Sequence, residues 1–206
     1  MTAEIVHLYS IPLYWKKSCF ILNKEENSSI KKILYDKNKG PDGVKISEKK
    51  DILNDKNLVR LRKFFIESVD EYLKKVLQIN DEVFMTHSWV AKSNKNSSHH
   101  PHNHKGTFLS CVFYIQCNSG KFIINEDRSS IQSGYDFDYD VIKYNSFNSP
   151  SFNFPVKTGD FIIFPGHLRH QTEKNKDNFD RIILGANFFL KGVIGKKHQI
   201  TSVGNE

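Results

Sequence analysis

Residues 83–125 read VFMTHSWVAKSNKNSSHHPHNHKGTFLSCVFYIQCNSGKFIIN. Three runs rich in β-branched and aromatic residues, VFMTHSWVAK, FLSCVFYIQC and KFIINE, alternate with clusters of Asn, Ser, Gly and His. That alternation marks short strands and turns without intervening helices. Two further runs follow, FIIFPG from 161 and RIILGANFFLKG from 181, and the linkers EDRSSIQSGYD, NSFNSPS and KTGD carry loop chemistry. Several short strands in succession predict an antiparallel sandwich or barrel.

Upstream the chain is mixed and helical. IVHLYSIPLYW predicts an opening strand broken at Pro12, and residues 25–35 a short helix with Ser28 or Ser29 near its cap. DKNKGPDGVKISEKK, at 36–50, reads as a polar Gly/Pro loop. Over 55–78, Leu58, Leu61, Phe65, Val69, Tyr72 and Val76 recur every three or four residues, with Asn54 or Asp55 placed to cap them. This helix is expected to brace the outer face of a sheet. Downstream, the aromatic stretch 126–156 (Tyr135, Phe137, Tyr139, Tyr144, Phe147, Phe152, Phe154) reads either as a functional lid or as an extra hairpin covering the barrel. GKKHQITSVGNE, at the end, reads as a frayed tail.

Composition narrows the classes. A chain of 206 residues suits one domain with a real core. No apolar window is long enough for a spanning helix, and the N-terminus lacks signal-peptide order, so a cytoplasmic protein is expected, with no membrane partner. Cys19, Cys111 and Cys117 show no metal spacing and read as reduced thiols. The net charge of +7 favours an acidic partner, such as a nucleic acid, an acidic protein or an anionic small molecule. The lysines are dispersed, however, and no nucleic-acid motif supports the first of these. A homodimer is compatible with the sequence.

Four histidines, His99, His100, His102 and His104, fall in SSHHPHNHKG. Alone they fit a solvated loop, an adventitious metal site or a built one. Their setting points to the last. The cluster directly precedes a strand, and His170 follows another strand and turn in FIIFPGHLRH. An H-x-H pair sets two imidazoles side by side, and a third from a neighbouring strand end completes a facial triad. Spacing leaves the choice of Fe(II), Zn or Ni open, and His100 with His102 is a second H-x-H pair. Arg181 opens an apolar strand. It reads either as an inward fork for a carboxylate or as an edge residue paired with Asp177 or Asp180.

Taken together, HNHKGTFLSCVFYI, GDFIIFPGHLRH and DRIILGANFF resemble the core of the Fe(II)/2-oxoglutarate-dependent dioxygenases. The likeness is to the 2OG-Fe(II) oxygenases of bacteriophages and marine bacteria, with prolyl 4-hydroxylases more distant, and it spans about residues 84–191. It implies a mainly β fold with N-terminal helices: a double-stranded β-helix (jelly-roll, cupin-like) braced by one long helix. It also implies one domain over 1–206, with strand and helices at 1–82, the catalytic core at 83–191 and a polar tail at 192–206.

In this resemblance His102, His104 and His170 hold iron(II), while Arg181 and Tyr114 grip the C5 carboxylate of 2-oxoglutarate, which is consumed with O2. The sequence departs from the family twice. His104 stands where most relatives carry a carboxylate, and Ile183 where many carry Ser or Thr. His167 is read as a pocket or surface residue. The implied reaction is hydroxylation of a C–H bond, in a peptidyl or prolyl substrate first and a nucleotide or nucleic acid second. Asn187 stands where base-repair demethylases carry a second Arg. Two rivals remain: a cupin-like three-histidine enzyme without 2-oxoglutarate, in which Arg181 would meet a protein carboxylate, and a non-catalytic jelly-roll binding protein, in which the imidazoles would share no point.

Overall fold

A computed structural model describes residues 3–6, 10–36, 42–125, 140–194 and 201–203. Its strands are β1 (Tyr14–Lys16), β2 (Lys45–Ile46), β3 (Val83–Ser93), β4 (Leu109–Gln116), β5 (Lys121–Asn125) and β6 (Ser151–Pro155). They continue with β7 (Phe161–Pro165), β8 (His170–Thr172), β9 (Arg181–Leu190), β10 (Gly192–Ile194) and β11 (Thr201–Val203). Two α-helices, α1 (Lys24–Lys31) and α2 (Val59–Glu71), precede the long strands. A six-stranded antiparallel sheet in the order β1-β7-β4-β9-β3-β2 is accompanied by a three-stranded sheet, β6-β5-β8.

The unbroken apolar run of β4 follows from this layering. Successive residues of a strand point to opposite faces, and here both faces are covered. Cys111 and Phe113 join Phe161, Ile163, Leu184 and Phe188 in a cluster with helix α2. Val112 and Tyr114 join Ile162, Phe164, Phe122 and Ile124 in a second cluster, between the two sheets. Leu61, Phe65, Val69 and Tyr72 of the helical stripe are fully buried. Each contributes roughly 1.5–3 kcal/mol relative to exposure. The helix therefore braces the sheet as its periodicity predicts.

Several local expectations are corrected. The opening strand lies after Pro12, where Tyr14–Lys16 pairs with Phe161–Ile163, residues that unlike proline have an N–H to give the ladder. Helix α1 is capped by Asn23 rather than Ser28 or Ser29. Asn23 Oδ1 accepts from Glu26 N at 2.9 Å and Glu26 Oε2 from Asn23 N at 2.8 Å, a reciprocal capping box. Within the 36–50 loop, Lys45 and Ile46 form an edge strand on Lys92 and Ala91. Asp55 caps a short 3-10 turn ahead of α2, and the helix then widens into a π-helical segment, Tyr72–Leu77. That wider turn rotates Val76 off the stripe, and it is 42% exposed.

Ser151–Pro155, in the stretch read as a lid or a hairpin, is strand β6 on β5. There Phe154 meets Trp15 edge to face at 5.9 Å. Tyr135, Phe137 and Tyr139 lie outside the described residues. The tail is not wholly frayed: Gly192–Ile194 and Thr201–Val203 pair antiparallel. None of the described helices is long and apolar enough to cross a membrane.

Candidate metal centre

His102 and His170 are joined by backbone pairing. His102 N donates to His170 O at 3.0 Å, and His170 N to His102 O at 2.8 Å. His104, two residues on, anchors its own N–H on Gly166 O at 2.9 Å. The H-x-H pair thus sits on a strand-like lead-in to β4, not within a regular strand. One ring nitrogen from each of His102, His104 and His170 lies within 4.8 Å of the others, a spread that one metal ion can span. His100 turns away, its Nδ1 lying 2.9 Å from Asp42 Oδ2, so the alternative pair does not form. His167 is exposed.

The ring orientations are set from outside the cluster. His170 Nδ1 faces Leu168 O at 2.9 Å and His102 Nδ1 faces His100 O at 2.7 Å. A carbonyl only accepts, so both Nδ1 atoms carry the hydrogen and both Nε2 atoms keep a lone pair facing the cluster. Burial pushes His170 down to about 2 and His104 to about 4, and it lowers His102 as well. All three are neutral donors at ordinary pH, as metal binding needs. Phe164 and Phe122, ring centroids 4.6 and 5.6 Å from His170, keep the surroundings apolar.

Residues not singled out for the site complete it. Asn187 Nδ2 lies 3.3 Å from His104 Nδ1, and Asn187 Oδ1 accepts from Ser110 Oγ at 2.9 Å. Trp89 lies against the His104 ring at 5.4 Å. Gly185 leaves room for that indole, since a Cβ there would fall 2.5 Å from Trp89 Cζ2. His99, on the cavity wall, packs on His102 at 4.3 Å. The available signal was a polar residue interrupting an apolar strand, Ser110 in LSCVFYI and Asn187 in LGANFF. A buried polar group needs a partner, and each is the other's.

Arg181 is 2% exposed. Its Nη2 donates to Thr172 Oγ1 at 2.9 Å and to Glu173 O at 2.7 Å. It pairs with neither Asp180, which meets Lys92, nor Asp177, which accepts from Asn118 and Ser119. Arg181 Nη1 and Tyr114 Oη are both buried without a hydrogen-bond partner. Burial raises the Tyr114 phenol far above its usual range, so it stays a donor. Two buried donors lacking an acceptor, one on the cavity wall and the other on the Arg beside Thr172, fit a carboxylate. Ile183 lines the cavity, and Thr172 lies on the same wall.

No curated protein sequence matches the chain significantly. The family model described as "Putative 2OG-Fe(II) oxygenase" matches residues 87–187, which hold β4, β7, β8, the three histidines and Arg181. The chain carries a 2OG-Fe(II) oxygenase core. Solved structures share the oxygenase's fold at low identity. An oxidoreductase of the 2OG-Fe(II) oxygenase family from Burkholderia pseudomallei is 11% identical, with a TM-score of 0.55 over 85% of this chain and 83% of that one. HygX from Streptomyces hygroscopicus, with nickel and 2-oxoglutarate bound, is 12% identical, with a TM-score of 0.58 over 86% and 82%. The carbocyclase SnoK of nogalamycin biosynthesis is 9% identical, with a TM-score of 0.59 over 89% and 81%. The family's metal and co-substrates are iron(II), 2-oxoglutarate and O2. The neutral imidazoles and unsatisfied donors of this oxygenase fit them.

Proposed function

We propose that this oxygenase hydroxylates a C–H bond, holding iron(II) through His102, His104 and His170 and the C5 carboxylate of 2-oxoglutarate through Arg181 and Tyr114. The observation that carries the reading is a pair of buried, unpartnered donors: Tyr114 Oη, on the wall of the cavity that the three histidines line, and Nη1 of Arg181, whose Nη2 is bonded to Thr172 of the same wall. Arg181 meets no carboxylate among the described residues, contrary to the expectation for a three-histidine enzyme without 2-oxoglutarate. Convergence of the imidazoles opposes a non-catalytic jelly roll.

When bound, iron, 2-oxoglutarate and O2 would together supply the chemistry of C–H hydroxylation, one oxygen atom going to the substrate and the other to succinate, with CO2 released. The chain's own residues bind and orient. The carbonyls of Leu168 and His100 hold two imidazoles with the hydrogen on Nδ1 and the lone pair on Nε2. Thr172 Oγ1 accepts from His99 N and from Arg181 Nη2, both at 2.9 Å. Its two lone pairs are thereby used, so the hydroxyl hydrogen is left to donate into the cavity, a role that Ile183 cannot fill. Phe122 and Phe164 exclude water from the same space.

For the substrate we propose a peptidyl side chain, prolyl first, on the likeness to prolyl 4-hydroxylases. The net charge of +7 supports an anionic nucleotide as the second class to test. Related structures include HygX with hygromycin B bound and SnoN in complex with nogalamycin RO, so small molecules belong in the panel. Protein purified without oxygen, loaded with Fe(II) and given 2-oxoglutarate and O2, should release succinate, and His170→Ala should release none. Absence of both succinate and retained metal in the wild type would overturn the reading. A gain of one oxygen in a prolyl peptide, a nucleotide or a small molecule identifies the class.

A further inference from the structure

The hydrogen-bond chain behind His104 has a direction. His170 Nδ1 donates to Leu168 O, so its Nε2 is a bare lone pair. His104 Nε2 lies 3.3 Å from that atom. With no cation between them, two lone pairs at such a distance repel, so in the metal-free protein the arrangement that satisfies this contact has the hydrogen on His104 Nε2, donated to His170. His104 Nδ1 is then an acceptor, and what faces it is the Nδ2 donor of Asn187 at 3.3 Å. Asn187 Oδ1 in turn accepts from Ser110 Oγ at 2.9 Å. Each link of the series Ser110, Asn187, His104, His170 then joins one donor to one acceptor, and all four residues are buried or partly buried.

A metal ligand needs the opposite arrangement at His104, with the lone pair on Nε2 and the hydrogen on Nδ1. Turning the ring over is resisted by Trp89, packed on it at 5.4 Å with the indole itself held against Gly185. Asn187 offers the easier route because its amide presents a donor or an acceptor at the same place. Ser110, directly opposite across β4 and β9, can likewise donate or accept. His102 and His170 have no such freedom, since backbone carbonyls face their Nδ1 atoms.

We propose that metal entry reverses the chain His104–Asn187–Ser110, and that Asn187 is the positioning residue which accommodates both tautomers of His104. The hydrogen leaves His104 Nε2 and one is taken up at Nδ1, exchanged through water, so no net charge changes. Asn187 Oδ1 then accepts from His104 Nδ1, and Ser110 Oγ accepts from Asn187 Nδ2. The inference rests on the reading that the three histidines hold a metal.

The test uses the full chain with zinc(II) as probe. Two-bond 1H–15N correlation reads the tautomer of each imidazole, with His104→Gln to assign the signal, and chelator competition gives the zinc Kd. Without metal, His104 should be the Nε2–H form, and with zinc the Nδ1–H form. Asn187→Asp, whose carboxylate only accepts, should show Nδ1–H before zinc is added and bind zinc roughly tenfold tighter; Asn187→Leu should bind it about 10–100-fold more weakly. An Nδ1–H His104 in the metal-free wild type, or unchanged affinity in Asn187→Leu, overturns the proposal. Zinc bound without a change of tautomer overturns this inference alone. Failure of the wild type to bind zinc overturns the metal-site reading beneath it.

Discussion

His102 and His170, on separate segments of the chain, exchange both backbone hydrogen bonds, and their rings lie 4.3 Å apart between centroids. Their spacing is therefore a property of the ladder rather than of the side chains. Removing the His170 imidazole should leave the ladder intact. His170→Ala is expected to melt within a few degrees of the wild type while losing stoichiometric Fe(II) or Co(II), read by metal analysis after desalting. A variant that keeps one metal per chain would exclude His170 as a ligand.

Tyr114 and Arg181 separate in their effects on the co-substrate. Tyr114→Phe removes one hydrogen bond to a carboxylate, worth about 1.5–3 kcal/mol. The 2-oxoglutarate Kd should rise roughly 10–100-fold with little loss of folding stability. Arg181→Lys keeps the charge and loses the fork, and it also frees Thr172 Oγ1 and Glu173 O, so it should weaken binding and stability together. Anaerobic calorimetry with the metal-loaded protein, paired with thermal melts, reads both.

Thr172 supplies a hydroxyl on the cavity wall that Ile183 also lines, and its proposed part in holding 2-oxoglutarate can be tested directly. Thr172→Ser keeps the group and should bind 2-oxoglutarate as the wild type does. Thr172→Val should raise the Kd about tenfold, the cost of roughly one hydrogen bond to a charged partner. Equal affinities for the two variants would show that the hydroxyl plays no part.

Gly185 has no space for a methyl group. A Cβ at this position would fall 2.5 Å from Trp89 Cζ2, so Gly185→Ala must push the indole off the His104 ring. Overpacking of this kind costs about 1–3 kcal/mol. A lowered melting temperature together with weaker cobalt(II) binding is expected. Trp89→Ala in the same background should recover part of the stability, and failure of that rescue would locate the strain elsewhere.

The metal-free protein should lose stability on mild acidification. His170, His104 and His99 are pushed down to about 2, 4 and 3, chiefly by burial, while their unfolded counterparts titrate near 6.5. Between those values the unfolded chain binds more protons, so stability falls as pH drops below about 6.5 and the loss slows as the folded values are reached. Each fully engaged imidazole adds a slope of at most about 1.4 kcal/mol per pH unit. Urea midpoints at pH 7.5 and 5.5 should converge in His170→Phe relative to wild type; an identical shift in both proteins would refute the assignment.

The long strands, the bracing helix and the motif pair around His170 and Arg181 were legible in the amino-acid order alone. Each rests on local rules: period-two and helical spacing, turn residues, and motif order. The same rules misplaced what depends on a distant partner. Asn23 wins the first helix cap because Glu26 reciprocates, and Lys45 and Ile46 become a strand because β3 offers an edge. Ser151–Pro155 likewise pairs because β5 is there to receive it.

In the site, sequence could name His102 and His104 without excluding His100, since neighbouring histidines are equivalent until the fold turns one toward Asp42. Packing in three dimensions was needed to show that Arg181 avoids both nearby aspartates and that Thr172 stands beside its guanidinium. It alone brought Asn187 and Ser110 together behind His104. Motif spacing records where a ligand lies along the chain. The direction in which its ring can donate is set by atoms that the fold delivers from other strands.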